Sequence, residues 1–321
     1  MRNLLAIEDI NRDEIEAILD RAESFAEVGR RDIKKVPTLR GRTVVTLFYE
    51  SSTRTSSSFE LAAKRLSADL VSVKAAGSSV DKGESLKDTV ATLSAYDPAA
   101  IVIRHPYAGA AQMIARWTGA AVINAGDGKH EHPSQALLDV YTLRRRLGSL
   151  DGKRIWIVGD VLHSRVARSN LLAFQRMGAE VTVCGPPTLI PRGIEELGCE
   201  VSHSLDRLEE AEVVYALRMQ QERMSESFVP SLREYAATFQ IDSRRLNPRQ
   251  LLMHPGPVNR GVELSGEAID SPQSLITEQV AAGLVVRMAI LYELLAGSER
   301  PAPVSGDGEG AESPTPIGQP A

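Results

Sequence analysis

Ser52, Thr53, Arg54 and Thr55 stand together in "FYESSTRTSSSFE" (48–60), between the apolar run "RTVVTLF" and the helix-like "SSFELAAKRL". A strand followed by a helix puts them at a helix N-terminus, where free backbone N–H groups and the positive end of the dipole attract an anion. Hydroxyls add donors, and Arg54 can grip phosphate oxygens with a two-pronged fork. A helix cap explains one hydroxyl and leaves the rest unexplained. The chemistry this stretch suits is phosphate binding.

Other reactive side chains recur at similar places. Arg104 and His105 close the run "AAIVIRH" just before Pro106, which stops it. A solvent-facing strand end explains Arg104 equally well at this point. His132 and Gln135 open a helix after "NAGDGKHEHPSQ"; three residues apart, they share one face of its first turn. A lone histidine there is more often structural, but an imidazole beside an amide can polarise a carbonyl oxygen. Lys82 lies in "AAGSSVDKGESLKD", a loop of small polar residues, where the ordinary reading is a solvated lysine. Arg165 opens a helix after "VGDVLHS", and Arg218 follows "AEVVYAL" with Gln220 next but one. Two arginines at strand-end turns could hold a substrate with two carboxylates.

The elements that must position these residues alternate along the chain. Buried parallel strands are expected at 42–48, 68–74, 99–105, 120–125, 154–160, 179–185, 211–218 and 250–257, with "CEVSH" as a further one. Helical spacing fills the intervals, with longer helices at 132–148, closed by Gly148, and at 276–297. The N-terminal "MRNLLAIEDINRDEIEAILDRA" carries an amphipathic helix pattern. The fold class is therefore α/β: two doubly wound domains with mostly parallel sheets, joined by helices. The last helix is long enough to return from the second domain onto the first. In such sheets ligands bind beyond the carboxyl ends of the strands, where the residues above fall.

With 321 residues, 43% hydrophobic and 25% charged, the chain is ordinary globular material for two domains. Its formal charge of −5 speaks against a nucleic-acid surface. Residues 301–321 hold Asp307, Glu309 and Glu312 without Lys or Arg and are rich in Pro and Gly, so they are expected to be disordered. Cys184 and Cys199 show neither disulfide nor zinc spacing, and no metal is expected. No secretory core or membrane-length apolar run is present, so a cytoplasmic protein is expected. A dinucleotide site fits poorly: "IWIVGDVLHSRVARS" lacks the three glycines, and "VTVCGPP" offers no acid for a ribose.

"FYESSTRT", "IRHP", "NAGDGKHEHPSQ", "VGDVLHSRVARS", "LRMQQER" and "HPGPVNRG", in this order, resemble the carbamoyltransferases, and within them the aspartate-using catalytic chains. The resemblance spans roughly residues 1 to 300. It implies a carbamoyl-phosphate domain (1–135 plus 284–300), an aspartate domain (136–283), and a homotrimer with active sites shared between neighbours. The implied reaction moves the carbamoyl group of carbamoyl phosphate to the α-amine of L-aspartate, in pyrimidine biosynthesis and without a cofactor. Ser52, Thr53, Arg54, Thr55 and Arg104 would bind phosphate; Thr55, Arg104 and His132 would face the carbonyl oxygen, with Gln135 near the carbamoyl amide. Ser78 and Lys82 would come from the adjacent subunit. Arg165, Arg218 and Gln220 would hold aspartate, with Lys82 and the backbone at Gly256 and Pro257. Glu50 and Arg223 would position Arg104 and Arg218 through ion pairing.

Ser56, Asp81 and Gly256 depart from residues common in the family, and Asp81 bears on how tightly the Lys82 loop closes. "HPGP" lacks the cysteine of the ornithine enzymes' "HCLP" motif, and the arginine of "LRMQQER" suits a carboxylate, so aspartate is favoured. Assembly with regulatory chains or dihydroorotase is left open. A binding protein that kept the fold without turnover is the non-enzymatic alternative.

Overall fold

The computed structural model describes residues 1–74, 83–220 and 228–296. Ser78, Lys82, Asp81, Arg223 and the 301–321 tail lie outside them. Strands β1 (Thr43–Phe48), β2 (Asp69–Lys74), β3 (Ala100–His105) and β4 (Ala121–Asp127) form one parallel sheet in the order β2-β1-β3-β4. A second parallel sheet orders β5 (Arg154–Val158), β6 (Glu180–Cys184), β7 (Glu200–Ser202), β8 (Val213–Ala216) and β9 (Leu251–Met253) as β7-β6-β5-β8-β9. Helices α1 (Arg12–Val28), α2 (Thr53–Arg65), α3 (Leu86–Ser94), α4 (Ala110–Trp117) and α5 (Pro133–Leu147) accompany the first sheet. With the second go α6 (Arg165–Arg176), α7 (Leu232–Phe239) and α8 (Gly266–Ile269), and α9 (Ile276–Leu295) closes the described chain.

The two-residue period of β1 explains why both of its faces are covered. Val44 and Phe48 point into a core shared with α1, α2, α5 and α9, while Val45 and Leu47 point into a second core with Val90, Ile101, Ile103 and Ile114. Strand β5 divides the same way, Ile155 and Ile157 to the shared core, Trp156 and Val158 to one confined to the second lobe. The shared core runs through both lobes, and α9 returns to pack on α1, α2 and α5.

Three elements differ from the expectations. The 250–257 strand ends at Met253, because Pro255 and Pro257 have no N–H to give a ladder. The N-terminal helix starts only at Arg12, capped by Asn11 and Glu14 reciprocally. The residues before it lie along β4, with Leu4 N–H donating to Val122 O at 2.9 Å. Helix α7 went unread, although Leu232, Tyr235, Ala236 and Phe239 fall at helical spacing.

Each sheet reverses its strand order once, between β1 and β3 and between β5 and β8. Those four strand ends deliver Glu50 with the α2 N-terminus, Arg104, Arg165 and Arg218.

Candidate active site

Ser52 is the N-cap of α2, yet its side chain makes no capping hydrogen bond, leaving the hydroxyl at the helix mouth. Arg54 and Thr55 occupy the first turn, Thr55 buried and Arg54 exposed. The Ser56 hydroxyl turns aside to Glu60 Oε1 at 2.9 Å. Arg104, in register with Phe48 of β1, extends from the end of β3.

His132 caps α5 and is 4% exposed. Its placement depends on the tight loop before it. Asp127 accepts from Gly109 N–H at 2.7 Å, Asn124 Nδ2 at 2.7 Å and Glu131 N–H at 3.1 Å. The His132 N–H donates to Ser169 Oγ at 2.8 Å, which pins the loop to α6 of the other lobe. Nε2 lies 3.5 Å from Thr55 Oγ1, and Nδ1 lies 3.4 Å from Ser134 Oγ. An Nδ1 that accepts from Ser134 leaves the ring proton on Nε2, the nitrogen facing Thr55. Burial, reinforced by the fields of Arg104, Arg287 and Arg165, holds the imidazole well below its ordinary pKa. This ring is neutral at physiological pH.

The two lobes meet through charge. Glu50, after β1, lies 3.4 Å from Arg104 Nε and also accepts a hydrogen bond from Arg165 Nη2. One carboxylate thus joins an arginine of each lobe. Arg165 is 3% exposed, and among the described residues its buried Nη1 has no hydrogen-bond partner. The guanidinium passes directly under Gly126, where a Cβ would lie 3.0 Å from Nη1. Across the cleft Arg54 rests on Gly256, at φ +64°, where a Cβ would come 2.5 Å from the guanidinium carbon. Arg54 and Arg218 both act on His254, adding to burial in depressing its pKa. Gln220 N–H donates to Asp160 Oδ2 at 3.1 Å, which ties the end of β8 to that of β5.

The structure therefore gathers Ser52, Thr53, Arg54, Thr55, Arg104, His132 and Gln135 on one side. Arg165, Arg218, Gln220, Gly256 and Pro257 stand on the other. Glu50 pairs with Arg104 as expected, and Arg165 is an unforeseen second partner. Sequence reasoning also missed four buried polar residues behind the site: Asp139, His254, Gln279 and Arg287. A signal existed for two of them, since Asp139 and Arg287 interrupt otherwise apolar helical runs. Asp139 is fully buried and accepts from Tyr215 Oη (2.7 Å), Asn170 Nδ2 (2.9 Å), Gln279 Nε2 (2.7 Å) and Gln135 Nε2 (3.1 Å). Burial pushes its pKa up to about 6 against those four hydrogen bonds.

Arginines and neutral donors from two lobes, facing one cleft, can hold two anions side by side. Known proteins match along nearly the whole chain. Residues 2–145 fit the family profile "Aspartate/ornithine carbamoyltransferase, carbamoyl-P binding domain", and residues 151–294 fit "Aspartate/ornithine carbamoyltransferase, Asp/Orn binding domain". The aspartate carbamoyltransferase catalytic subunit of Acidothermus cellulolyticus is 56% identical over 303 residues, 93% of this chain and 94% of that protein. The catalytic subunit of M. jannaschii aspartate transcarbamoylase superposes with a TM-score of 0.82 at 36% identity, over 94% of this chain and 100% of that one. Aspartate transcarbamoylase from Trypanosoma cruzi in complex with N-(phosphonacetyl)-L-aspartic acid gives 0.83 at 32% identity, over 92% and 96%. Two matched domains in the right order, around a cleft built for paired acids, make this chain a member of the aspartate/ornithine carbamoyltransferase family.

Proposed function

We propose that this chain is an aspartate carbamoyltransferase, moving the carbamoyl group of carbamoyl phosphate to the α-amine of L-aspartate, a step of pyrimidine biosynthesis. The observation that carries this reading is the two-lobed cationic cleft, Arg54 resting on Gly256 and Glu50 tying Arg104 to Arg165. The carbamoyl-phosphate lobe is assigned to residues 1–135 and 284–300, and the aspartate lobe to 136–283.

Phosphate sits at the mouth of α2, on Ser52, Thr53, Arg54 and Thr55 with Arg104. Its charge is met by two guanidinium groups and a helix dipole. Thr55, Arg104 and the Nε2–H of His132 converge on the carbamoyl oxygen. A neutral imidazole suits this, donating a hydrogen bond without a proton to lose. Gln135 gives its Nε2 to Asp139, so its Oε1 is the end that can accept from the carbamoyl NH2.

Arg165, Arg218 and Gln220 take the two carboxylates of aspartate. The 254–257 turn can only accept: Pro255 and Pro257 have no N–H, and the Gly256 N–H donates inward to His254 Nδ1 at 2.8 Å. Its carbonyl groups therefore suit the α-amine. The amine nitrogen attacks the carbamoyl carbon, an oxyanion forms, and the bond to phosphate oxygen breaks. The departing phosphate takes the amine proton. Each donor aimed at the oxyanion is worth about 3–4 kcal/mol, and holding both substrates in one frame contributes further.

Ser78 and Lys82 are assigned to the site of a neighbouring chain in a homotrimer. No described helix is long and apolar enough to cross a membrane, in keeping with the cytoplasmic location we assign. Incubation of the purified chain with carbamoyl phosphate and either aspartate or ornithine tests the reading. Carbamoyl-aspartate is the expected product; citrulline, or neither product, would reject it.

A further inference from the structure

Behind the cleft, buried side chains connect the carbamoyl side to the aspartate side without touching either substrate position. Gln135 Nε2 donates to Asp139 Oδ1 at 3.1 Å, and the same oxygen accepts from Gln279 Nε2 at 2.7 Å. The other end of the Gln279 amide, Oε1, accepts from His254 N–H at 3.0 Å. His254 Nδ1 in turn accepts the Gly256 N–H at 2.8 Å. Asp139 is fully buried, His254 is 1% exposed and Gln279 is 3% exposed.

The chemistry of each member fixes its orientation. An ionised Asp139 can only accept, so both glutamine amides must turn their NH2 groups toward it. That sets the carbonyl of Gln135 toward the cleft and the carbonyl of Gln279 toward His254. The His254 main chain is held by Gln279 and its ring holds Gly256, which sets the acceptor-only turn. Three elements, α5, α9 and the turn after β9, share one frame.

We propose that Asp139 and Gln279 are positioning residues that form a buried strut, placing Gln135 and the His254–Pro257 turn relative to one another so that carbamoyl carbon and amine meet. The strut rests on the carbamoyltransferase reading above and assigns to it two residues that contact no substrate. Because the interior is close-packed, a break at Gln279 frees both ends together.

Gln279→Met keeps the volume and removes both hydrogen bonds. Losing a hydrogen bond to a charged group is worth a factor of about ten or more. KM for carbamoyl phosphate and KM for aspartate are therefore each expected to rise roughly tenfold. In a Gln135→Ala background the effect on carbamoyl phosphate should vanish and the effect on aspartate persist. A purely architectural role predicts a lower melting temperature with both KM values within about twofold of the parent, or identical effects in both backgrounds; either result overturns the strut. Should Gln279→Met not fold, Gln279→Ala, which also removes both hydrogen bonds, is read instead: a carbamoyl-phosphate KM within twofold of the parent overturns the proposal. An unsubstituted chain without carbamoyl transfer would instead reject the functional reading itself.

Discussion

Glu50→Gln is the substitution whose consequence follows most directly from the geometry. One carboxylate oxygen of Glu50 serves Arg104, at 3.4 Å, and Arg165. The Arg165 side chain is 4% exposed and that of Glu50 24%, so solvent screens this junction only in part. Glutamine keeps the shape and one acceptor oxygen but removes the charge separating the two guanidinium groups. The remaining oxygen can still accept from Arg165, but the negative charge facing both guanidinium groups is gone, a difference of about 1.5–3 kcal/mol, and the two cations then repel. At about 1.4 kcal/mol per decade, kcat/KM for aspartate should fall between roughly tenfold and a hundredfold. The effect on carbamoyl phosphate should be smaller, since Arg54 and the α2 N-terminus are untouched. Initial rates with each substrate varied against a saturating partner give both numbers. A Glu50→Gln enzyme whose kcat/KM for aspartate stays within about threefold of the parent would refute the bridge between lobes.

Three further outcomes follow from the same site. His132 should stay neutral through pH 6: its ring 15N shifts should not move where an ordinary imidazole titrates, at 6.5, and a midpoint near 6.5 would contradict the site. The unfolded chain takes up that proton and the folded one does not, so this contribution to stability is present above about pH 6.5 and is lost as the pH falls. Arg54→Ala should reduce turnover by more than about tenfold without unfolding the chain. Mixing Arg54→Ala with Lys82→Ala chains should restore activity through hybrid trimers; mixed, refolded subunits that remain inactive would remove the shared site.

Much of this molecule was legible because two periods govern its sequence. Short β-branched apolar runs such as "RTVVTLF" and "RIWIV" read as strands covered on both faces, and their alternation with helical spacing pointed to parallel sheets with reactive residues at the ends. Arg54, Arg104, His132, Arg165 and Arg218 stood out because each follows a strand or opens a helix. What stayed hidden was long-range. Gln279 meets Asp139 across 140 positions of chain, and no local pattern announces that an acid inside "QALLDVY" will be matched by an amide inside "TEQVAAG". The second partner of Glu50 was hidden likewise, since Arg165 reaches it from the other lobe. The overlong last strand came from reading apolar character and discounting two prolines.

Calorimetric titration of the chain with N-(phosphonacetyl)-L-aspartic acid tests most directly whether both lobes clamp two acids at once. This compound joins a phosphonate to an aspartate. It should bind far more tightly than phosphate or aspartate alone, and lose affinity in both Arg54→Ala and Arg165→Ala. Binding no tighter than phosphate, or unchanged in either variant, would contradict the two-lobed clamp.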